Sequence, residues 1–189
     1  MPKEDEVLLA SIPHTGTKFL EAAIRREGYS LQAASEFAKY EKTLYFTHID
    51  RPDSSRLAYY MMLSGITTVM PFRHPYVTAV SWECRNMKLW PLVTMYERFF
   101  RYFMPRCQCV VPIDGSDDVR RRAIQKLNII LGINSSPDWS EVINPYKVRN
   151  HNADLRYYDV QRPSGYIVEL VNEHMPELFR LGYYEGTYI

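Results

Sequence analysis

An α/β fold with a central, mainly parallel sheet and helices on both faces is predicted by two observations. Apolar runs rich in β-formers alternate with stretches of helical period from Val7 to Ile133. Single strands separated by helices pair in parallel through crossovers, and a parallel sheet needs cover on both sides. The composition agrees: 189 residues, 46% hydrophobic and 24% charged, suit one soluble domain, residues 1–189, with a full core.

The elements follow in order. Val7-Leu8-Leu9-Ala10-Ser11 is a short buried strand. Pro13-His14-Thr15-Gly16 is a tight turn, and a helix begins at Thr17 with Phe19, Leu20, Ala23 and Ile24 on one face and Gly28 as a left-handed cap. Leu31 to Tyr40 is a polar-aromatic connection with helical character. Thr43 to Ile49 is the second strand, broken by Arg51-Pro52-Asp53, after which Asp53 or Ser54 caps a helix that ends at Gly65. Ile66 to Phe72 is the third strand, with Pro71 marking its end. Pro75 opens a helix to about Met87, and Pro91 opens another to Met104. Cys109 to Ile113 is the fourth strand. Ser116 caps a helix carrying Val119, Ala123, Ile124, Leu127, Ile130 and Leu131 inward, stopped by Gly132. Residues 134–154 read as loop, and a last helix runs from Tyr166 to about His174 and restarts at Pro176.

The first turn carries chemistry. Strand, hydroxyl-rich turn and helix start together suit a phosphate, because unpaired amides at a helix N-terminus point at an anion and the dipole favours its charge. Thr15 and Thr17 add hydroxyls, and Gly16 lets the backbone approach. An ordinary βα turn is the bland alternative. It is not the nucleotide-kinase loop, in which Gly-Lys-Ser/Thr follows a Gly and four residues. Here Gly16 precedes Thr17, and Ser11 stands where the first Gly would be.

A second motif is Val69-Met70-Pro71-Phe72-Arg73-His74-Pro75-Tyr76-Val77-Thr78-Ala79-Val80-Ser81-Trp82. Arg73 stands at the C-terminal end of a strand, where ligands bind in open α/β sheets. A guanidinium fork and the hydroxyl of Ser81, eight positions on, can hold a phosphate. The bland alternative is a capping Arg and a solvent-facing Ser.

Together the two motifs resemble those of the sulfotransferases that use 3′-phosphoadenosine 5′-phosphosulfate (PAPS). The family's 5′-phosphosulfate loop reads Pro-Lys/Arg-Ser/Thr-Gly-Thr-Thr-aromatic or aliphatic, and Pro13 to Leu20 is similar. Its 3′-phosphate motif is a strand, Arg-x-Pro, then Ser at Arg plus eight. The strand and helix from Val110 to Ile133 and the tail from Met175 to Tyr183 are also similar, so the resemblance spans Val7 to Tyr183.

The resemblance implies a three-layer α/β/α domain with a P-loop-like core. It implies sulfuryl transfer from PAPS to a hydroxyl or amine acceptor, with 3′,5′-adenosine bisphosphate as the leaving nucleotide. Thr15, Gly16 and Thr17, with Lys18, would cradle the 5′-phosphosulfate. Arg73 and Ser81 would hold the 3′-phosphate. Phe19 sits where relatives carry an adenine-stacking aromatic, or else it is core. His48, in a Thr47-His48 pair similar to the family's, is the candidate general base; a carbonyl-satisfied strand-end His is the alternative.

Two positions depart from the pattern. The cation after the loop Pro is His14, and Lys18 stands at the second Thr. A His neutralises the leaving group only when protonated, or as a neutral donor. The expectation is that Lys18 returns the charge from one helical position along.

Composition sets bounds on partners. A net charge of +1 gives no global field for nucleic acid or anionic membrane, so an anion site must be local. Cys84, Cys107 and Cys109 fit neither a disulfide framework nor a zinc knuckle, and no spacing suggests a metal. Met1 to Glu6 hold no apolar signal core, and no run approaches the ~18 residues of a membrane span. A cytoplasmic setting is expected, without the Golgi anchor of many relatives. Arg120-Arg121-Arg122 read as a solvated face before a polyanion site. The aromatic stretch from Met87 to Met104 reads as core before acceptor pocket or homodimer contact. Arg149, His151, Arg156 and Arg162 lie where relatives place a late 3′-phosphate contact and stay unassigned. The shortness of the chain for the family implies an open acceptor site or a partner subunit. Two other readings stand: a nucleotide or metabolite kinase with Asp50 on magnesium, and a non-catalytic nucleotide-binding protein of the same fold.

Overall fold

The computed structural model describes residues 5–36, 40–73, 75, 78–79, 82, 87–88, 90–113, 117–133 and 173. β1 (Glu6–Ser11) leads through a turn into α1 (Thr17–Arg26). Then follow β2 (Ser30–Ala33), β3 (Thr43–His48), α2 (Pro52–Leu63) and β4 (Thr67–Phe72). Pro75, Thr78, Ala79 and Trp82 are helical. α3 (Trp90–Arg98) runs on into a π-helical turn, Phe99–Phe103, before β5 (Cys109–Pro112) and α4 (Asp117–Ile130).

The five strands form one parallel sheet in the order β2-β3-β1-β4-β5. β1 is central and every residue in it is buried, which is why it reads as a continuous apolar run. Its side chains divide between two cores. Val7 and Leu9 pack with Leu20, Ile24 and Leu127, from α1 and α4. Leu8 and Ala10 pack with Ala58, Met62 and Tyr96, from α2 and α3. The connection from β1 to β2 moves one way along the sheet, and that from β3 to β4 moves back across β1. Right-handed crossovers then require α1 and α2 on opposite faces. The result is three layers, α/β/α.

Parallel strands end on the same edge. The turn after β1, His48 at the end of β3, Arg73 after β4 and Ile113 after β5 all gather there. β1 pairs with β4 only through Leu9↔Val69. β4 ends at Phe72, as expected, with Pro71 next to last and opposite Val111. The carbonyls of Thr68 and Phe72 accept from Gln108 and Ile113, on the β5 side. By alternation the Pro71 nitrogen faces β1, beyond the last paired residue, so its missing N–H costs no ladder bond. Past this point β1 and β4 are free to part.

Other expectations are corrected. Leu31 to Ala33, expected as the start of a connection with helical character, belong to the edge strand β2, which is in register with Thr43–Phe46. It has no β-branched residue, so pairing rather than propensity makes it a strand. α2 starts earlier than Asp53 or Ser54: Arg51 is its N-cap and Pro52 its first residue, with no side-chain cap. Residues 114–116 and 134–172, and with them Ser116 and the loop and last helix expected there, lie outside the described residues.

Tyr96, Phe99, Phe100 and Phe103 of the aromatic stretch are core, while Tyr102 is half exposed. Phe72 stacks on Phe99 at 5.2 Å and meets Tyr96 edge-on at 6.0 Å. Met104 N–H reaches back to Phe99 O at 2.8 Å, and this wider turn brings the consecutive residues Phe99 and Phe100 both inward. Phe72→Ala should therefore destabilise by about 3–5 kcal/mol, read as a lower urea midpoint with little change in slope.

Candidate anion loop and base

The turn after β1 is a loop of backbone donors. Ile12 O accepts both the amide and the hydroxyl of Thr15, at 3.3 and 2.7 Å. Pro13 O accepts from Trp82 Nε1 at 3.2 Å. His14 O accepts from Arg73 Nη1 at 3.3 Å. Gly16 O accepts the amides of Phe19 and Leu20. Four carbonyls are thus engaged, while the amides of Gly16, Thr17 and Lys18 have no partner among the described residues. With four of the carbonyls from Ile12 to Gly16 engaged and three donors unused at the positive end of a helix, the loop favours an anion.

The backbone needs unusual conformations to do this. His14 and Gly16 both have positive φ, 69° and 95°. A Cβ on Gly16 would stand 2.5 Å from Ile113 Cγ1, so the end of β5 presses on the turn from below. Glycine is required at position 16 on both counts.

Arg73 is only 5% exposed, and its guanidinium points at the loop. Its own carbonyl accepts the Tyr96 hydroxyl at 2.6 Å, and Tyr96 also meets Thr78 Oγ1 at 2.8 Å. The strand end is thereby tied to α3 and to the helix that follows it. Sequence reasoning placed Tyr96 only within the aromatic stretch and gave Trp82 and Ile113 no role. No periodicity marks them, because their roles arise from contacts 23 to 97 residues away in the chain.

His48 ends β3 directly beside Ser11, the last residue of β1. Its Nδ1 lies 2.9 Å from Ser11 Oγ, and Thr17 Oγ1 donates to the same Ser11 oxygen at 2.9 Å. Phe46 packs edge-on against the ring at 4.8 Å. Burial holds the imidazole below its ordinary value of 6.5, and Lys18 adds to this; the Ser11 backbone and Asp50 pull the other way. His48 is therefore biased toward the neutral form that a proton acceptor needs.

The remaining expected residues fall as follows. The hydroxyls of Thr15 and Thr17 donate inward, so the donors facing the turn are backbone amides. Lys18 is 69% exposed and pairs with Glu21 at 2.7 Å. His14 is half-buried and meets Trp82 edge-on at 6.4 Å. Phe19 is 7% exposed and packs in the α1–α4 core, the alternative to adenine stacking. Ser81, Arg149, His151, Arg156 and Arg162 lie outside the described residues. Arg121 and Arg122 are exposed on α4. Burial pushes the thiols of Cys107 and Cys109 up to about 12 and about 11, so neither is a thiolate nucleophile. No helix among the described residues is long and apolar enough to cross a membrane.

Two outcomes follow from this geometry. Gly16→Ala should lose about 1–3 kcal/mol of stability from backbone strain alone. Ile113→Ala in the same chain should recover only the part due to the clash, leaving a residue from φ; full recovery in urea unfolding would mean that only space matters. Because folded His48 resists protonation, its contribution to stability is complete above 6.5 and is lost as pH falls toward its lower folded value. Urea midpoints of wild type should fall more steeply below 6.5 than those of His48→Gln.

Among solved structures the chain is similar to the crystal structure of mouse sulfotransferase SULT7A1 complexed with PAP. The two share 16% identity at a TM-score of 0.52, over 95% of this chain and 84% of that chain. A scan of protein-family models and a search by sequence among curated proteins give no match. At this identity the likeness is one of architecture: the parallel five-stranded sheet between two helical layers is a fold shared with a sulfotransferase.

Proposed function

We propose that this chain transfers a sulfuryl group from PAPS to a hydroxyl or amine acceptor. The observation that carries the reading is the loop after β1, with four carbonyls engaged and three amides unused. Its donor set fits the 5′-phosphate end of the nucleotide, and the solved structure of like fold is a sulfotransferase complexed with PAP. In this reading the amides of Gly16, Thr17 and Lys18 bind the anionic oxygens at that end. Arg73 and Ser81 hold the 3′-phosphate, and the same guanidinium braces the loop through His14 O. Catalysis is then mostly alignment and charge neutralisation, as in phosphoryl transfer. PAPS supplies the sulfuryl group as its bond to the 5′-phosphate breaks. His48 takes the acceptor's proton on Nε2, which has no hydrogen-bond partner among the described residues.

The charge at the loop is the second part of the proposal. Lys18 is exposed, while its partner Glu21 is buried and is also held by Arg25 at 3.4 Å. When Lys18 turns to an anion at the helix start, Glu21 keeps Arg25 as its partner, so Lys18 can replace the cation missing at position 14. If His14→Ala and Lys18→Ala both keep the full transfer rate, neither supplies charge and this part fails.

Calorimetry tests the reading as a whole. Adenosine 3′,5′-bisphosphate should bind without magnesium and more tightly than ATP, and Arg73→Ala should weaken it by about tenfold or more. Magnesium-dependent ATP binding would favour the kinase reading with Asp50 on the metal. Tight bisphosphate binding without turnover on any acceptor would favour a binding protein.

A further inference from the structure

Ser11 belongs to no motif, yet it connects the anion loop to the candidate base. Its side chain is fully buried, so its hydroxyl proton must have an acceptor inside the protein. Thr17 Oγ1 donates to the Ser11 oxygen at 2.9 Å. Among the described residues, the one acceptor left for the Ser11 proton is His48 Nδ1, also at 2.9 Å. The order of donation in the free protein is then Thr17 to Ser11 to His48. With Nδ1 accepting, the single proton of a neutral imidazole sits on Nε2. That tautomer presents a donor outward and cannot act as a base.

An anion at the start of α1 changes the first link. Thr17 is the first residue of the helix, and its amide is one of the three unused donors. If its hydroxyl turns to an oxygen of a bound phosphate, its own oxygen can accept. Ser11 then donates to Thr17, and the Ser11 oxygen accepts from Nδ1–H. The imidazole proton passes from Nε2 to Nδ1 by exchange with water, with no net uptake. Nε2 is left with its lone pair outward. Both contacts are already of hydrogen-bond length, so the reversal asks for reorientation of the Thr17 and Ser11 hydroxyls rather than a new contact.

The geometry points to Ser11 and Thr17 as a relay that makes His48 a base only when the loop holds its phosphate. Ser11 is a positioning residue, acting through His48. The inference rests on the proposed function, since it takes the loop as the 5′-phosphate site and His48 as the proton acceptor. Its consequence is chemical economy: in the free enzyme water meets a donor at Nε2, and the base appears only with the nucleotide bound.

Nitrogen-15 NMR of the His48 ring, at about pH 8 where imidazole is neutral, reads the tautomer directly. The free protein should carry its proton on Nε2, and saturation with adenosine 3′,5′-bisphosphate should move it to Nδ1. Ser11→Ala should give a tautomer mixture that the nucleotide does not change. Thr17→Val should hold the Nε2–H form with and without nucleotide, whereas Thr17→Ser should switch as wild type does. Backbone amide spectra of each variant establish that it is folded. A free protein already on Nδ1, or a switch that survives in Ser11→Ala, overturns the relay. So does bound nucleotide, seen as amide shifts at Gly16, Thr17 and Lys18, with an unchanged ring; the proposed function would then still stand. No amide shift at any nucleotide concentration overturns the proposed function and the relay with it.

Discussion

The hydrogen bonds that Arg73 and Trp82 send into the turn after β1 set the polarity of the whole site. A βα turn has as many acceptors as donors, and an anion meets both. Here the carbonyls of Pro13 and His14 are held by side chains from beyond β4, and those of Ile12 and Gly16 are used within the turn itself. What faces outward is a set of amides at a helix start. The bonds are possible because β1 and β4 stop pairing at Leu9 and Val69, and Pro71 asks nothing of β1 past that point. The loop after β1 and the guanidinium after β4 thus meet at the strand ends.

Support for this arrangement extends into the core. The Tyr96 hydroxyl fixes the carbonyl of Arg73, and Tyr96 is itself held by Phe72 and Phe100. On the other side Ile113 closes the space beneath Gly16, so the turn is confined by β5 as well. Packing energy on the α2–α3 face and the exact path of the turn are therefore coupled. The position of His48 has a simpler origin. Parallel pairing of β1 with β3 sets Ser11 opposite His48 in register, and a one-residue slip would send the ring to the other face.

Much of the architecture was legible in the chain itself. β1, β3, β4 and β5 are apolar runs bounded by turn residues, and α1 shows its buried face as Phe19, Leu20, Ala23 and Ile24. β2 was not legible, because Ser30-Leu31-Gln32-Ala33 becomes a strand only by bonding to β3. The start of α2 was misplaced because Pro52 fits the first helical position without a side-chain cap, and the sequence offered Asp53 and Ser54 as better caps. Of the site, the loop and Arg73 were visible as spacing. The inward direction of the Thr15 and Thr17 hydroxyls, and the burial of Phe19, were not.

The amino-acid sequence alone determined the alternation of strand and helix, the glycine at the turn, and the placement of Arg73 and His48 at strand ends. These are local properties: hydrophobic period, conformational freedom and chain position act over a few residues. Only the tertiary structure decided which carbonyls the turn loses to Arg73 and Trp82, and that Ser11 joins Thr17 to His48. Hydrogen-bond partners at such chain separations depend on strand order and register, and those are settled when the sheet assembles.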